Sequence, residues 1–179
     1  ERLMDAIRAH FCVADDAEIT LESNPGTLDF EKLAGYRRAG INRLSMGLQS
    51  ACDKELAMLG RIHNFDTFVQ NYKQARRAGF ENINVDLMSA LPGQTVESWE
   101  QTLVKTAELA PEHLSAYSLI IEEGTPFWNW YGEDANQTLR PKEMLPLPSE
   151  EDERRMYART REILEQYGYH RYEISNYAK

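Results

Sequence analysis

One tetrapeptide recurs, and it constrains the fold more than any other feature of the sequence. Arg37-Arg38-Ala39-Gly40 precedes INRLSMGL, and Arg76-Arg77-Ala78-Gly79, 39 residues later, precedes FENINVDL. In each copy a helical stretch ends at glycine, which enters the left-handed region without a Cβ clash and so favours helix C-termini. A strand-like apolar stretch follows. REILEQYGYHRYEIS is a weaker third copy, again helix, glycine, then strand. Such units imply parallel strands joined by crossover helices, because a tight hairpin cannot join parallel neighbours.

The spacing predicts helices over 1–11, 29–39, 51–59, 64–78, 95–109 and 149–167. Strands are expected over 18–22, 42–48, 82–88, 113–121 and 171–175, the first four adjacent in chain order with helices on one outer side. Thr95 and Ser149 are expected helix caps. The stretch 122–148, with two tryptophans and several Pro, Gly and Asn, is expected to form a long loop over the mouth of the strands, and such loops are often functional. The expected organisation is a run of βα units over 1–126, the loop over 127–148, and a last helix and strand over 149–179.

Composition narrows the partners. A net charge of −9 lacks the basic footprint that nucleic-acid binding needs. No apolar run approaches the length that spans a bilayer, and the opening residues show no leader pattern. Cys12 and Cys52 stand far apart, with neither metal-ligand spacing nor a disulfide framework, and are read as free thiols in a reducing cytosol. Both ends, Glu1 opening directly into a helical pattern and Lys179 following a strand-like YEISNYA, read as cuts through a longer protein.

Parallel βα units build either a closed barrel or an open doubly wound sheet. No glycine-rich phosphate fingerprint follows a strand, which weakens the dinucleotide-binding alternative. The strand ends favour the barrel. The first ends in Glu22, the second in Gln49 and the third in Asp86, while the fourth carries Ser115 and Ser118, and polar strand ends converge on one mouth in a barrel. Ser45, Gly47 and Gln49 share one face of their strand, a small polar face suited to close approach of a ligand. Arg61, in MLGRIH, can grip a carboxylate at two points. Asp86 suits a sugar hydroxyl. Pro92-Gly93-Gln94-Thr95 opens a helix, where anions are accepted. His63 reads as neither ligand nor acid, and His113 as structural. Tyr117 and Glu122 lie on or just past the fourth strand. Thr125, Phe127, Trp128 and Trp130 form an aromatic segment able to cover a flat apolar ligand.

LESNPGT, GINRLSMGLQS, LGRIH, NVDLMSALPGQT, HLSAYSLIIEEGTPF and GYHRYEISNYA, in this order and spacing, resemble the oxygen-independent coproporphyrinogen oxidase-like family of radical S-adenosylmethionine (SAM) proteins. The resemblance covers essentially the whole chain, and the closing YEISNYA is more similar to that family's haem-chaperone branch than to its oxidase branch. Ser89-Ala90 departs mildly from the pattern, where a glycine is usual. The resemblance implies an α/β fold, a partial (β/α)6 TIM-like barrel here missing its first strands. It implies SAM as cofactor, bound with a [4Fe–4S] cluster in the intact protein, and haem or porphyrin as cargo, handed to an acceptor protein. By motif, Glu22, Gln49, Arg61 and Asp86 match the family's SAM contacts. Arg61 would take the methionine carboxylate, and Glu22, Gln49 and Asp86 the ribose hydroxyls and amino group. The cluster's three cysteines belong to a loop expected before Glu1, so no catalytic or metal-ligating residue is assigned. The resemblance also leaves open an oxidase that decarboxylates two propionates of coproporphyrinogen III. An unrelated TIM-barrel enzyme acting on a phosphorylated sugar is a third reading, for which no late glycine pair is present.

Overall fold

The computed structural model describes residues 1–132, 135, 140–142 and 144–179. Part of the expected loop over 127–148 therefore lies outside the described residues. Seven helices are described: α1 (Arg2–His10), α2 (Phe30–Ala39), α3 (Asp53–Met58), α4 (Phe65–Arg77), α5 (Val96–Ala107), α6 (Pro126–Tyr131) and α7 (Glu150–Gln166). The strands are β1 (Thr20–Ser23), β2 (Arg43–Gln49), β3 (Asn82–Ser89), β4 (His113–Ser118), β5 (His170–Arg171) and β6 (Asn176–Ala178).

The helix starts follow local chemistry. Asp29, Asn64, Thr95, Thr125 and Ser149 each accept a backbone N–H of the first turn, with Ser98 completing a capping box at Thr95. The repeat has a structural counterpart. Gly40 and Gly79 follow their helices with φ of 98° and 92°, and the first arginine of each copy reaches forward to a carbonyl four residues on. Arg37 donates to the Ile41 carbonyl at 2.8 Å, and Arg76 to the Phe80 carbonyl at 3.2 Å.

The six strands form one sheet in the order β1-β2-β3-β4-β6-β5. The first four are parallel and adjacent in chain order, as the repeat requires. The sheet is open. Alternation along the strands separates two faces. Leu44, Met46, Leu48, Ile83, Val85, Leu87 and Leu114 are fully buried on one. They share a single core with Leu33 of α2, Phe68 and Tyr72 of α4, Trp99 and Leu103 of α5, and Met156 and Leu164 of α7. Burying each such side chain contributes roughly 1.5–3 kcal/mol. The other face carries Ser45, Gly47, Asn84, Asp86, His113, Ser115 and Tyr117.

Three sequence expectations are corrected. The strand expected over 171–175 is a turn between two short strands. The Glu173 carboxylate accepts from the Ser175 N–H and the Asn176 amide, at 2.8 and 2.6 Å, which folds the chain back, so β6 runs antiparallel to both β4 and β5. The fourth strand ends at Ser118 rather than 121, where the Leu119 N–H is drawn to the Ser89 carbonyl at 2.9 Å. The expected loop begins with a helix, α6, whose Pro126 supplies the first-turn geometry. The returning segment docks on the β3–α5 turn, with the Gly93 N–H donating to the Pro146 carbonyl at 2.8 Å.

Candidate functional site

Strand register builds the polar face in rows. Glu22, Ser45, Asn84 and His113 are aligned across β1 to β4. Gly47, Asp86, Ser115 and Asn176 form the next row across β2, β3, β4 and β6. Gln49 and Tyr117 lie beyond, at the C-terminal ends. Asp86 thus stands inside β3 rather than at its end, correcting the sequence expectation. It still faces the same mouth, because it has the parity of Asn84.

At the mouth the backbone departs from regular strand. The β2–β3 register shifts between Gly47 and Gln49, and Gln49 has φ 72°, which a non-glycine residue adopts at an energetic cost. Gln49 is 4% exposed. Its Oε1 accepts from the Tyr117 hydroxyl at 3.1 Å. A Cβ placed on Gly47 would lie 3.1 Å from Gln49 Nε2, 3.5 Å from Asn24 Oδ1 and 3.9 Å from Arg61 Nη1. Three polar groups from three segments thus converge above a glycine. Arg61 is half-buried and donates to Asn24 Oδ1 at 2.7 Å, so the turn after β1 orients the arginine that follows α3.

Glu22 is exposed on β1. The Tyr117 phenol bonds Gln49 and feels the charges of the other three candidates. Burial, above all, and the carboxylate of Asp86 hold its pKa above the usual 10, Glu22 adding to them, while the bond to Gln49 and the charge of Arg61 oppose. Below this level Asp86 anchors a hydrogen-bonded ladder. Ser45 Oγ donates to Asp86 Oδ2 at 2.9 Å, and Asn84 Nδ2 contacts Asp86 Oδ1 at 2.8 Å and Ser45 Oγ at 2.7 Å. Asn84 Oδ1 lies 2.6 Å from His113 Nδ1 and accepts from Ser115 at 3.2 Å. The single Ser115 proton is shared between Asn84 and Asn176 Oδ1, the latter at 2.9 Å, and His113 Nε2 lies 2.7 Å from the Tyr172 hydroxyl. Burial pushes the His113 pKa below its usual 6.5, with Arg43 adding to the effect.

The other candidates lie apart from this cluster. His63, in the α3–α4 connection, is buried against the turn after β1, and among the described residues its Nε2 has no partner; burial lowers its pKa. Glu122 is exposed at a turn, its carbonyl accepting from Thr125. Phe127 packs against Trp130 and Tyr131 with ring centroids 5.8 and 5.7 Å apart and planes tilted by 46° and 38°, all three only partly buried. Thr95 caps α5.

Asn24, Asn84, Tyr172 and Asn176 escaped the sequence reading. Asn24 lies within LESNPGT, and Asn84 shares the parity of Asp86. Their roles depend on partners across strands.

Around the floor kept open by Gly47 stand a carboxamide, a guanidinium and the Asn24 side chain, with Asp86 in register beside the glycine, a set of donors and acceptors suited to a polar ligand. This set does not suit an iron–sulfur cluster. Cys12 is exposed and Cys52 partly buried, and among the described residues no three His, Cys, Asp or Glu side chains gather as metal ligands.

The pattern of the radical SAM superfamily matches residues 2–105. The haem chaperone HemW of Bacillus subtilis is 41% identical over 180 residues, covering 100% of this chain and 45% of that protein. Its Escherichia coli namesake is 38% identical, covering 100% and 44%. The mouse mitochondrial "radical S-adenosyl methionine domain-containing protein 1" is 36% identical, covering 99% and 38%. The chain thus spans less than half the length of these relatives. Among solved structures, coproporphyrinogen III oxidase (HemN) from E. coli, described as a radical SAM enzyme, superposes with TM-score 0.83 at 30% identity over 99% of this chain and 39% of that one. Elp3 of Methanocaldococcus infernus, at TM-score 0.67 and 16% identity over 80% and 32%, shares the fold. The open sheet with helices against one face is part of a TIM-like barrel, and the chain belongs to the radical SAM superfamily.

Proposed function

We propose that this chain is the central part of a HemW-like haem chaperone and that its polar face holds SAM. The carrying observation is the convergence of Gln49, Arg61 and Asn24 above Gly47, in register with Asp86. Arg61, steadied by Asn24, takes the methionine carboxylate. Glu22, Gln49 and Asp86 take the ribose hydroxyls and the amino group, which need acceptors and a donor in this arrangement. The cofactor, together with a [4Fe–4S] cluster held by cysteines elsewhere in the longer protein, supplies reductive radical chemistry. This chain's residues bind and orient it.

The aromatic face of α6 offers a flat apolar surface for haem, which the protein hands to an acceptor in the cytoplasm. No helix of the described residues is long and apolar enough to cross a membrane. The likeness to HemN supports a second reading, oxidative decarboxylation of coproporphyrinogen III. Haem binding without porphyrinogen turnover by the full-length protein favours the chaperone, and turnover favours the oxidase.

Arg61→Ala tests the pocket. In full-length protein with its cluster, the substitution is expected to weaken SAM binding by roughly 1.5–3 kcal/mol, as for a lost charge-assisted contact. Arg61→Lys should recover only part, since lysine lacks the planar fork. Unchanged affinity in Arg61→Ala, measured by equilibrium dialysis, would remove Arg61 from the pocket.

A further inference from the structure

We propose that Tyr117 is a positioning residue, fixing the carboxamide of Gln49 so that its NH2 group is the donor offered to the ligand above Gly47. The proposal rests on reading this face as the SAM pocket, and goes beyond it in assigning the donor and what enforces it.

A carboxamide can present either end. Gln49 is buried with its backbone in the left-handed region, and its amide can still turn to present either end. The cation of Arg61 reaches the same spot above Gly47, and beside a guanidinium an amide favours turning its oxygen inward. Gln49 does the opposite. Its oxygen is held on the far side by the Tyr117 hydroxyl at 3.1 Å, and its nitrogen faces Gly47.

Two consequences follow for the ligand. Gln49 Nε2 and Arg61 Nη1 become two donors beside Gly47, Arg61 for the carboxylate and Gln49 for a ribose oxygen. Arg61 is also kept from satisfying itself on Gln49 Oε1, so its remaining N–H groups stay available. Tyr117 achieves this without entering the spot above Gly47. A phenol can donate or accept, and here it donates to the carboxamide oxygen; removing it frees that oxygen to turn toward Arg61.

The test is a double-mutant cycle in full-length protein with its cluster, with S-adenosylhomocysteine as the probe in anaerobic titration calorimetry. Tyr117→Phe keeps the ring and removes the hydroxyl. It should weaken binding about three- to tenfold, the worth of one net hydrogen bond, and leave the melting temperature within about 2 °C of the parent. Gln49→Leu should weaken binding by at least as much, and adding Tyr117→Phe to it should change little. The side-chain NH2 resonances of Gln49, assigned by their loss in Gln49→Leu, should shift in Tyr117→Phe.

If Tyr117→Phe binds like the parent while Gln49→Leu is weakened, the pocket stands and the positioning role is overturned. Effects that multiply in the double variant overturn it equally, because the two residues then act separately. If Gln49→Leu itself binds like the parent, both the pocket reading and the positioning role fall.

Discussion

At the residue scale, Gly47 is the position on which the pocket turns. Its missing side chain leaves room beside Gln49 Nε2, Asn24 Oδ1 and Arg61 Nη1, and alanine tolerates ordinary strand backbone. Gly47→Ala is therefore expected to fold with stability within about 1 kcal/mol of the parent while pushing Gln49 aside. Affinity for SAM in full-length protein should fall about tenfold or more; a folded variant that binds like the parent would show that the space is unused. Much of this was readable in the sequence. Alternation placed Ser45, Gly47 and Gln49 on one face, and LGRIH singled out Arg61. Asp86 misled because an acid within an apolar run reads as a strand end, whereas here Ser45 and Asn84 satisfy both its oxygens and let the strand continue for three residues. Asn24 and Tyr117 gain their roles only when β1, β2 and β4 come together, and no single segment signals that.

At the element scale, the repeat shows how similar sequence does unequal work. Arg37 bonds the Ile41 carbonyl and lies over the Phe80 ring. Arg76 bonds the Phe80 and Glu81 carbonyls, the Tyr72 hydroxyl and Glu112, whose other oxygen accepts from the Ile83 N–H at 2.9 Å. It therefore ties α4 to both β3 and the start of β4. Arg76→Ala should cost about 1–2 kcal/mol, since it removes a partly exposed ion pair and several hydrogen bonds, and Arg37→Ala about 0.5 kcal/mol. Urea denaturation of the two variants compares them directly, and equal losses would contradict the assignment. Among the described helices all but α6 were legible, as were the first four strands, where side-chain caps at α2, α4, α5 and α7 and glycines after α2 and α4 mark ends; α6, inside the expected loop, was not. The closing hairpin was not, because it depends on Glu173 gathering Ser175 and Asn176, a contact with no periodicity.

At the scale of the whole molecule, the sheet is apolar toward its helices and polar toward its open face, and two histidines, His113 on β4 and His63 in the α3–α4 connection, have lowered pKa values. Burial lowers the pKa of both His63 and His113 from the usual 6.5. The unfolded chain therefore takes up these protons first. Their contribution to stability is complete above about pH 6.5 and is lost as pH falls toward the lower folded values. Stability should decline on acidification from pH 7.5 to 5.5, and His63→Gln should flatten that decline; equal slopes in parent and variant would contradict the burial of this ring. The ladder below the pocket carries a further consequence. An ionised carboxylate only accepts, so Asp86 obliges Asn84 to turn its NH2 toward it and leave its oxygen for His113. The neutral imidazole must then carry its proton on Nδ1, and Nε2 receives the Tyr172 hydroxyl. Nitrogen-15 shifts of this one ring therefore record what happens at Asp86. Asp86→Asn, which can donate as well as accept, should redistribute the two tautomers at constant pH, so the lower rows of the sheet hold an isotope-readable report of the charge at its mouth.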